Sequence, residues 1–192
     1  MGQLAADNFN RANSGTLGAN WTKLSGFSDL TIVSNQCKAS AGTSCVDAYT
    51  GSGAVAVDQY AQCIMMPAND GGPTVRSNTT STFYLLDYES NAFNVYKCIS
   101  GSFTELNSVA VTPNNGDTLY IEVQGTTIIT KQNGTTRNNF TDSAINGTSV
   151  GGPYPGLYAF SDSIILDDFA MGNFITFPGG DEDALWYVTS AF

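Results

Sequence analysis

The sequence predicts an all-β domain, built as a two-sheet antiparallel β-sandwich of the jelly-roll type. Segments in which polar and apolar residues alternate recur along the 192-residue chain, and turn residues such as Gly and Asn separate them. We count about a dozen such segments, which is the strand density of a sandwich or a jelly roll. No segment has a convincing helical period, so we expect at most single helical turns.

The first and last strands of the domain are predicted to pair with each other. Residues 163–174 (SIILDDFAMGNF) alternate with a period of two, as expected for a strand with one buried face. Their last part, LDDFAMGNF, echoes AADNFNRANSGTLGANW near the beginning of the chain. We therefore expect the first and last strands to close one domain over residues 1–174. Residues 175–192 then form a C-terminal extension, called the arm below.

The interior of the chain predicts central strands and hairpins. Residues 54–66 (AVAVDQYAQCIMM) form the longest alternating run and indicate a central strand. Residues 117–131 indicate two strands joined at Gly125, with the apolar side chains of the first strand pointing inward. The dipeptide Asn133-Gly134 is the strongest hairpin signal in the chain.

Composition and charge exclude several functional classes. Seventeen Asp and Glu against seven Lys and Arg give a net charge of −10, so nucleic-acid binding is not expected. The chain contains no histidine, which excludes Ser-His-Asp hydrolysis and His-ligated zinc. No apolar run is long enough for a membrane span. The N-terminus lacks the basic and apolar regions of a secretion signal.

The four cysteines do not indicate a metal site. Cys37, Cys45, Cys63 and Cys98 show no C-x-x-C spacing, which excludes a zinc ribbon. Cys63 and Cys98 lie within apolar strand patterns and are predicted to be buried thiols. For Cys37 and Cys45 two alternatives are open, either a pairing across a hairpin or two free thiols.

The order of the segments resembles the concanavalin A-like lectin/glucanase superfamily, particularly the laminin-G-like jelly rolls of bacterial and phage proteins. Three stretches are similar to its first strand, its hairpin and its closing pair of strands: DNFNRANSGTLGANW, DTLYIEVQGTTIITKQNG and PGLYAFSDSIILDDFAMGNF. The resemblance covers residues 7–174. It implies a concanavalin A-like fold, which lectins, hydrolases and purely structural modules share.

Glycan hydrolysis on such a sandwich requires two carboxylates that face one groove. Laminarinase-like members of the superfamily carry Glu-x-Asp-x-x-Glu on one strand. The nearest match, Asp87-Tyr88-Glu89, lacks both flanking acids and is predicted to lie at a hairpin turn. Asp167 and Asp168 are adjacent, so they point to opposite faces and cannot act as a catalytic pair. We expect one of them to have a structural role instead, bonded to the N-terminal loop or to Arg11. We therefore predict that the protein is not an enzyme.

The sequence also offers candidate residues for a calcium site and for a glycan site, with purely structural roles as the alternative. Laminin-G-like sandwiches often hold one Ca²⁺ through loop carboxylates. This sequence has no EF-hand-like spacing, and we predict no required cofactor. The weak calcium candidates are Asp7, Asp29, Asp167 and Asp168. A glycan site needs exposed aromatic rings beside Asn or Asp, whereas most rings of an all-β chain lie in the core. The candidate glycan contacts are Tyr49, Tyr88, Tyr154 and Tyr158.

The arm is unusual because disordered tails are poor in aromatic residues. We expect it to dock on a neighbouring subunit, with packing on its own domain as the alternative. Its candidate contact residues are Phe174, Phe177, Leu185, Trp186, Tyr187 and Phe192.

These features predict a non-enzymatic virion structural protein of a tailed phage, specifically a capsid decoration or cement protein on the capsid exterior. It would bind the major capsid protein or other virion subunits as a homo-oligomer, most simply a trimer, and stabilise them through multivalent contacts. The alternative is a carbohydrate-binding module of a phage adhesin or tail fibre that recognises host surface glycans.

Deletion of residues 175–192 distinguishes these two functions. A cement protein is expected to lose binding to capsids in a sedimentation assay while its circular dichroism spectrum stays unchanged. Retained particle binding would contradict the capsid function. Glycan-array signals that disappear in loop Tyr→Ala variants would support the carbohydrate-binding module.

Overall fold

The computed structural model describes residues 2–40, 43–53, 55–66, 70–112, 114–160 and 163–174. Over these ranges the chain forms strands and no helix, so none of the described segments is a helix able to cross a membrane. The strands are β1 (Gly2–Asp7), β2 (Trp21–Lys23), β3 (Leu30–Val33), β4 (Gln36–Ala39), β5 (Cys45–Tyr49), β6 (Gln59–Met66), β7 (Gly71–Ser77), β8 (Phe83–Glu89), β9 (Ala92–Ile99), β10 (Ser102–Ala110), β11 (Asp117–Gln124), β12 (Thr127–Gln132), β13 (Thr135–Thr141), β14 (Tyr154–Ala159) and β15 (Ile165–Asn173).

The strands form two antiparallel sheets. The larger sheet has the order β13-β12-β11-β6-β15-β4-β3, and β1 also pairs with β15. The smaller sheet has the order β10-β9-β8-β7-β14-β5-β2. One core cluster contains buried residues of both sheets, so the sheets are stacked face to face. The predicted all-β, two-sheet antiparallel sandwich is therefore confirmed.

The chain ends pair as predicted. Strand β1 runs antiparallel to β15, from Asp7 opposite Phe169 to Gly2 opposite Asn173. The first residues of β15 pair with β4 instead, so β1 takes the place of β4 along the second half of this strand. The first strand begins at Gly2, upstream of residue 7, where the family resemblance begins.

The predicted arm, residues 175–192, lies outside the described residues, and of its candidate contact residues only Phe174, which precedes it, is described. Phe174 donates its N–H to the carbonyl oxygen of Asp58 over 3.1 Å. Its ring lies edge-on to Tyr60, with 6.2 Å between centroids. Phe174 therefore packs on its own sandwich. Nothing described tests the boundary at residue 174 or the other arm residues, which are Phe177, Leu185, Trp186, Tyr187 and Phe192.

Alternation along the strands builds the core. In β11 the side chains of Leu119, Ile121 and Val123 are fully buried, as predicted. In β8 the side chains of Tyr84, Leu86 and Tyr88 lie between the sheets, whereas Phe83 and Leu85 belong to a second apolar cluster on the outer face of the smaller sheet. Burying one such side chain stabilises the fold by roughly 1.5–3 kcal/mol.

The cysteines and the hairpin turns also follow the sequence. All four cysteines are free and buried, so the free-thiol alternative holds for Cys37 and Cys45. Gly125 connects β11 to β12 with a φ of 55°. Asn133 and Gly134, with φ of 49° and 79°, connect β12 to β13. Asn and Gly suit these turns because both tolerate positive φ.

A buried arginine joins three segments at one end of the sandwich. Arg76 is 2% exposed. Its guanidinium donates to the carbonyl oxygens of Val57, Ile145 and Gly125 over 2.9, 2.8 and 2.7 Å. It also lies 3.4 Å from a carboxylate oxygen of Asp58. These bonds tie the segment before β6 to the β11–β12 turn and to the loop after β13.

Replacing this arginine is expected to destabilise the fold. In Arg76→Leu the buried guanidinium is removed and the three carbonyl groups lose their donor, so we expect the free energy of unfolding to fall by about 3–5 kcal/mol. Urea denaturation measures this change. The matched control is Arg137→Leu at an exposed position, expected within about 0.5 kcal/mol of wild type. Equal stability of the two variants would contradict a clamping role for Arg76.

A buried carboxyl makes stability depend on pH. Asp47 in β5 is 3% exposed and accepts the N–H of Leu30 over 2.7 Å. Burial raises its pKa to about 7. The unfolded value is about 3.9, so the folded state binds more protons between about pH 4 and pH 7. The stability that Asp47 contributes is therefore fully present below about pH 4 and is lost as the pH rises towards 7.

The variant Asp47→Asn removes this dependence and keeps an acceptor for Leu30. We expect its stability relative to wild type to increase between about pH 4 and pH 7, by at most about 4 kcal/mol. Denaturation of both proteins across this range measures the difference. Parallel stability curves would show that Asp47 titrates at its ordinary pKa.

Candidate functional site

A cleft of about 240 Å³ lies on the outer face of the smaller sheet. We call it the acidic cleft because it combines three carboxylates with four aromatic rings. Its lining residues are Asp70, Leu85, Asp87, Glu89, Tyr96, Phe103, Tyr158 and Phe160.

Strand β8 supplies two of the three carboxylates. Because side chains alternate along a strand, burial of Tyr84, Leu86 and Tyr88 in the core directs Asp87 and Glu89 to the opposite face. The sequence prediction that Asp87-Tyr88-Glu89 lies at a hairpin turn is wrong. Glu89 still pairs with Ala92 of β9, and the turn follows at residues 90–91, which both have positive φ.

The third carboxylate comes from a segment that the sequence does not connect with β8. Asp70 precedes β7 and donates its N–H to the carbonyl oxygen of Tyr88 over 2.6 Å. Its own carbonyl accepts the N–H of Phe160 over 3.1 Å. These backbone bonds hold Asp70 and Phe160 beside β8. As a result, carboxylate oxygens of Asp70, Asp87 and Glu89 lie within 4.8 Å of one another.

The carboxylates differ in burial and in hydrogen bonding. Asp87 is 4% exposed, whereas Asp70 and Glu89 are partly exposed. Asp87 accepts the N–H of Gly71, but its Oδ1 is buried and has no hydrogen-bond partner. Burial, and then the charges of Asp70 and Glu89, raise the pKa of Asp87 well above its usual range. Burial and the charge of Glu89 also raise the pKa of Asp70. The cluster therefore favours a proton, a cation or hydrogen-bond donors.

Exposed aromatic rings line the cleft beside these acids. Phe103 and Phe160 are 41% and 45% exposed, among the most exposed large apolar side chains of the described residues. The ring of Phe103 is held in place by Phe83 and Tyr158, with centroid distances of 5.8 and 6.0 Å. Such rings offer an apolar surface, and the neighbouring carboxylates offer acceptors for hydroxyl groups.

Several solved structures share the arrangement of the two sheets. The carbohydrate-binding module CBM66 from Bacillus subtilis matches with a TM-score of 0.57 and 14% identity, over 81% of this chain and 93% of that chain. A Bacillus subtilis protein of unknown function with a galectin-like fold matches with a TM-score of 0.58 and 12% identity, over 89% and 96%. A Bacillus licheniformis β-glucanase matches with a TM-score of 0.52 and 13% identity, over 91% and 99%. The fold is the concanavalin A-like jelly roll.

These matches confirm the predicted jelly-roll fold. No protein-family model and no curated protein sequence matches the chain. At identities this low the fold does not determine the activity, because binding modules and enzymes share it. The side chains of the acidic cleft, and not the fold, therefore indicate the function.

The jelly roll places the predicted glycan contacts mostly in its interior. Tyr49, Tyr88 and Tyr158 lie on strands and are 8%, 1% and 6% exposed, so the prediction of exposed loop tyrosines is wrong for these three. Tyr158 nevertheless lines the acidic cleft. Tyr154, at the start of β14, is partly buried and packs on the outer apolar cluster.

The jelly roll does not bring the predicted calcium ligands together. Asp7 accepts bonds from Arg11 over 2.6 Å, and Asp29 forms an exposed ion pair. Asp167 and Asp168 line a separate polar pocket together with Asn8 and Asn10 of the N-terminal loop. Arg11, the other expected partner, bonds to Asp7 instead. Among the described residues, the carboxylates that converge are those of the acidic cleft. Two of them belong to Asp87-Tyr88-Glu89, the nearest match to a hydrolase motif, whereas Asp70 was not among the predicted site residues.

Proposed function

We propose that the protein binds carbohydrate in the acidic cleft. The observation that carries this proposal is the position of exposed Phe103 and Phe160 beside the partly exposed carboxylates of Asp70 and Glu89. A sugar ring has an apolar C–H face and a hydroxylated edge. The aromatic rings suit the face, and the carboxylate oxygens accept hydrogen bonds from the edge.

The charge of the site indicates the class of glycan. Three clustered carboxylates on a chain with a net charge of −10 repel acidic sugars, so neutral and amino sugars are the expected ligands. The cleft volume of about 240 Å³ suits one unit or one end of a glycan. The fold shared with a carbohydrate-binding module supports this assignment by analogy.

Glycan hydrolysis is a second candidate, and one observation favours it. Retaining glycosidases use two carboxyl groups about 5–5.5 Å apart, one of them with a raised pKa. The carboxylate oxygens of Asp87 and Glu89 lie within 4.8 Å, and the pKa of Asp87 is raised. This pair belongs to Asp87-Tyr88-Glu89, which lacks both flanking acids of the laminarinase-like motif. Binding remains the better supported function because the side chain of Asp87 is almost fully buried.

The capsid decoration function, the exterior virion location and the trimer stay predictions. They depended mainly on the arm, and residues 175–192 lie outside the described part of the chain. Carbohydrate binding agrees with the alternative of an adhesin module. The proposed glycan contacts are the residues of the acidic cleft, and no longer Tyr49 and Tyr88.

The double variant Phe103→Ala/Phe160→Ala tests the proposal. A glycan array identifies a neutral or amino-sugar ligand for the wild-type protein, and calorimetry then measures its Kd. We expect the double variant to bind about tenfold more weakly or worse, because each aromatic contact contributes roughly 0.5–1.5 kcal/mol. Both side chains are exposed, so the fold should tolerate the change.

The matched control is Leu4→Ala/Val150→Ala, which removes two exposed apolar side chains, 50% and 36% exposed, away from the acidic cleft. Its Kd should equal that of wild type. Unchanged binding by the Phe103→Ala/Phe160→Ala variant would rule out the cleft as the glycan site. Release of reducing ends from a bound glycan, abolished in Glu89→Gln, would identify hydrolysis instead.

A further inference from the structure

We propose that Asp70, Asp87 and Glu89 form a Ca²⁺ site. Two independent observations support it, namely the convergence of three carboxylates and a buried carboxylate oxygen of Asp87 that lacks a partner. Calcium binding does not depend on the proposed carbohydrate binding, although both would use the acidic cleft.

The distances between the oxygens suit an ion of the size of calcium. Ca²⁺ binds oxygen at about 2.3–2.6 Å, so two oxygens on opposite sides of one ion lie up to about 5 Å apart. The oxygens of Asp70, Asp87 and Glu89 lie within 4.8 Å of one another, and one Ca²⁺ can therefore contact all three. Mg²⁺ demands near-ideal octahedral geometry and usually keeps several waters, so a cluster of three carboxylates suits Ca²⁺ better.

The buried carboxylate of Asp87 lacks a positively charged partner among the described residues. A carboxylate that is 4% exposed is stable only when it is paired, protonated or bound to a metal. One of its oxygens accepts from Gly71, and the charged groups near it are the acids Asp70 and Glu89. None of the ion pairs among the described residues includes these three carboxylates. A divalent cation supplies the missing partner for Oδ1 and offsets the repulsion.

The ligand set predicts weak binding with open coordination positions. Three carboxylates supply three to six oxygens, and Ca²⁺ takes six to eight. Water or the hydroxyl groups of a ligand fill the other positions. Without further ligands from a dedicated loop, we expect a Kd of about 10⁻⁴–10⁻³ M, as in weak extracellular calcium modules.

Thermal unfolding with the full chain tests the site. We expect 20 mM CaCl₂ to raise Tm by about 5 °C over NaCl of equal ionic strength, the shift for an ion at about twentyfold its Kd. MgCl₂ should raise Tm less. Calorimetry with CaCl₂ alone gives the Kd.

The variants Asp87→Asn and Glu89→Gln should lose the calcium-dependent rise in Tm. Without calcium they should be as stable as wild type or more stable, because each removes one of three mutually repelling charges. The matched control is Asp168→Asn, an exposed acid outside the cleft, which should keep the full rise. Two variants are used so that misfolding of one does not decide the test.

Three results would overturn the calcium site. They are a wild-type Tm that responds equally to CaCl₂ and NaCl, an equal response to MgCl₂, and an undiminished calcium response in a folded Asp87→Asn or Glu89→Gln protein. The Phe103→Ala/Phe160→Ala variant keeps all three carboxylates and should retain the calcium response. Failure of carbohydrate binding can therefore be distinguished from failure of calcium binding.

Discussion

The alternation of side chains along β8 is the constraint on which both the core and the acidic cleft depend. Tyr84, Leu86 and Tyr88 fill the space between the two sheets. Their burial leaves Asp87 and Glu89 no position except the outer face. A register slip of one residue would bury the carboxylates and expose the apolar side chains, at a cost of many kcal/mol. The interactions that stabilise the sandwich therefore also hold the carboxylates in place.

The acidic cleft stands out because its charges are not balanced by basic side chains. Elsewhere in the described chain, the buried ionic groups of Arg76 and Asp47 have partners, in three carbonyl groups and in the N–H of Leu30. Among the described residues, the other buried side-chain oxygens without a partner, on Gln132 and Asn138, belong to neutral amides. Asp87 lacks such a partner on one oxygen. Unsatisfied buried groups and raised pKa values concentrate at functional sites, because a ligand completes them. Carbohydrate and calcium are the ligands whose chemistry suits this imbalance.

Sequence patterns predict those strands that have one buried face. The alternation in β11 and β15 predicts them, because one side of each strand is apolar. Strand β10 is mostly exposed on both faces, so its sequence has no apolar period of two that would predict it. Its Phe103, an important wall of the acidic cleft, was missed for the same reason. The tyrosines chosen as glycan contacts show the converse error, because residue type does not determine burial.

The sequence by itself determined the fold class, the hairpins at Gly125 and Asn133-Gly134 and the pairing of the first and last strands. The strands and hairpins depend on local periodicity and on turn residues, which any short window of sequence contains. The pairing of the first and last strands was predicted instead from the likeness between two distant segments. Only the tertiary structure decided the site. Asp70 reaches Asp87 through a backbone bond to Tyr88, and Phe103 reaches Tyr158 across the smaller sheet. Such convergence depends on strand order and register between distant segments, which no local pattern encodes.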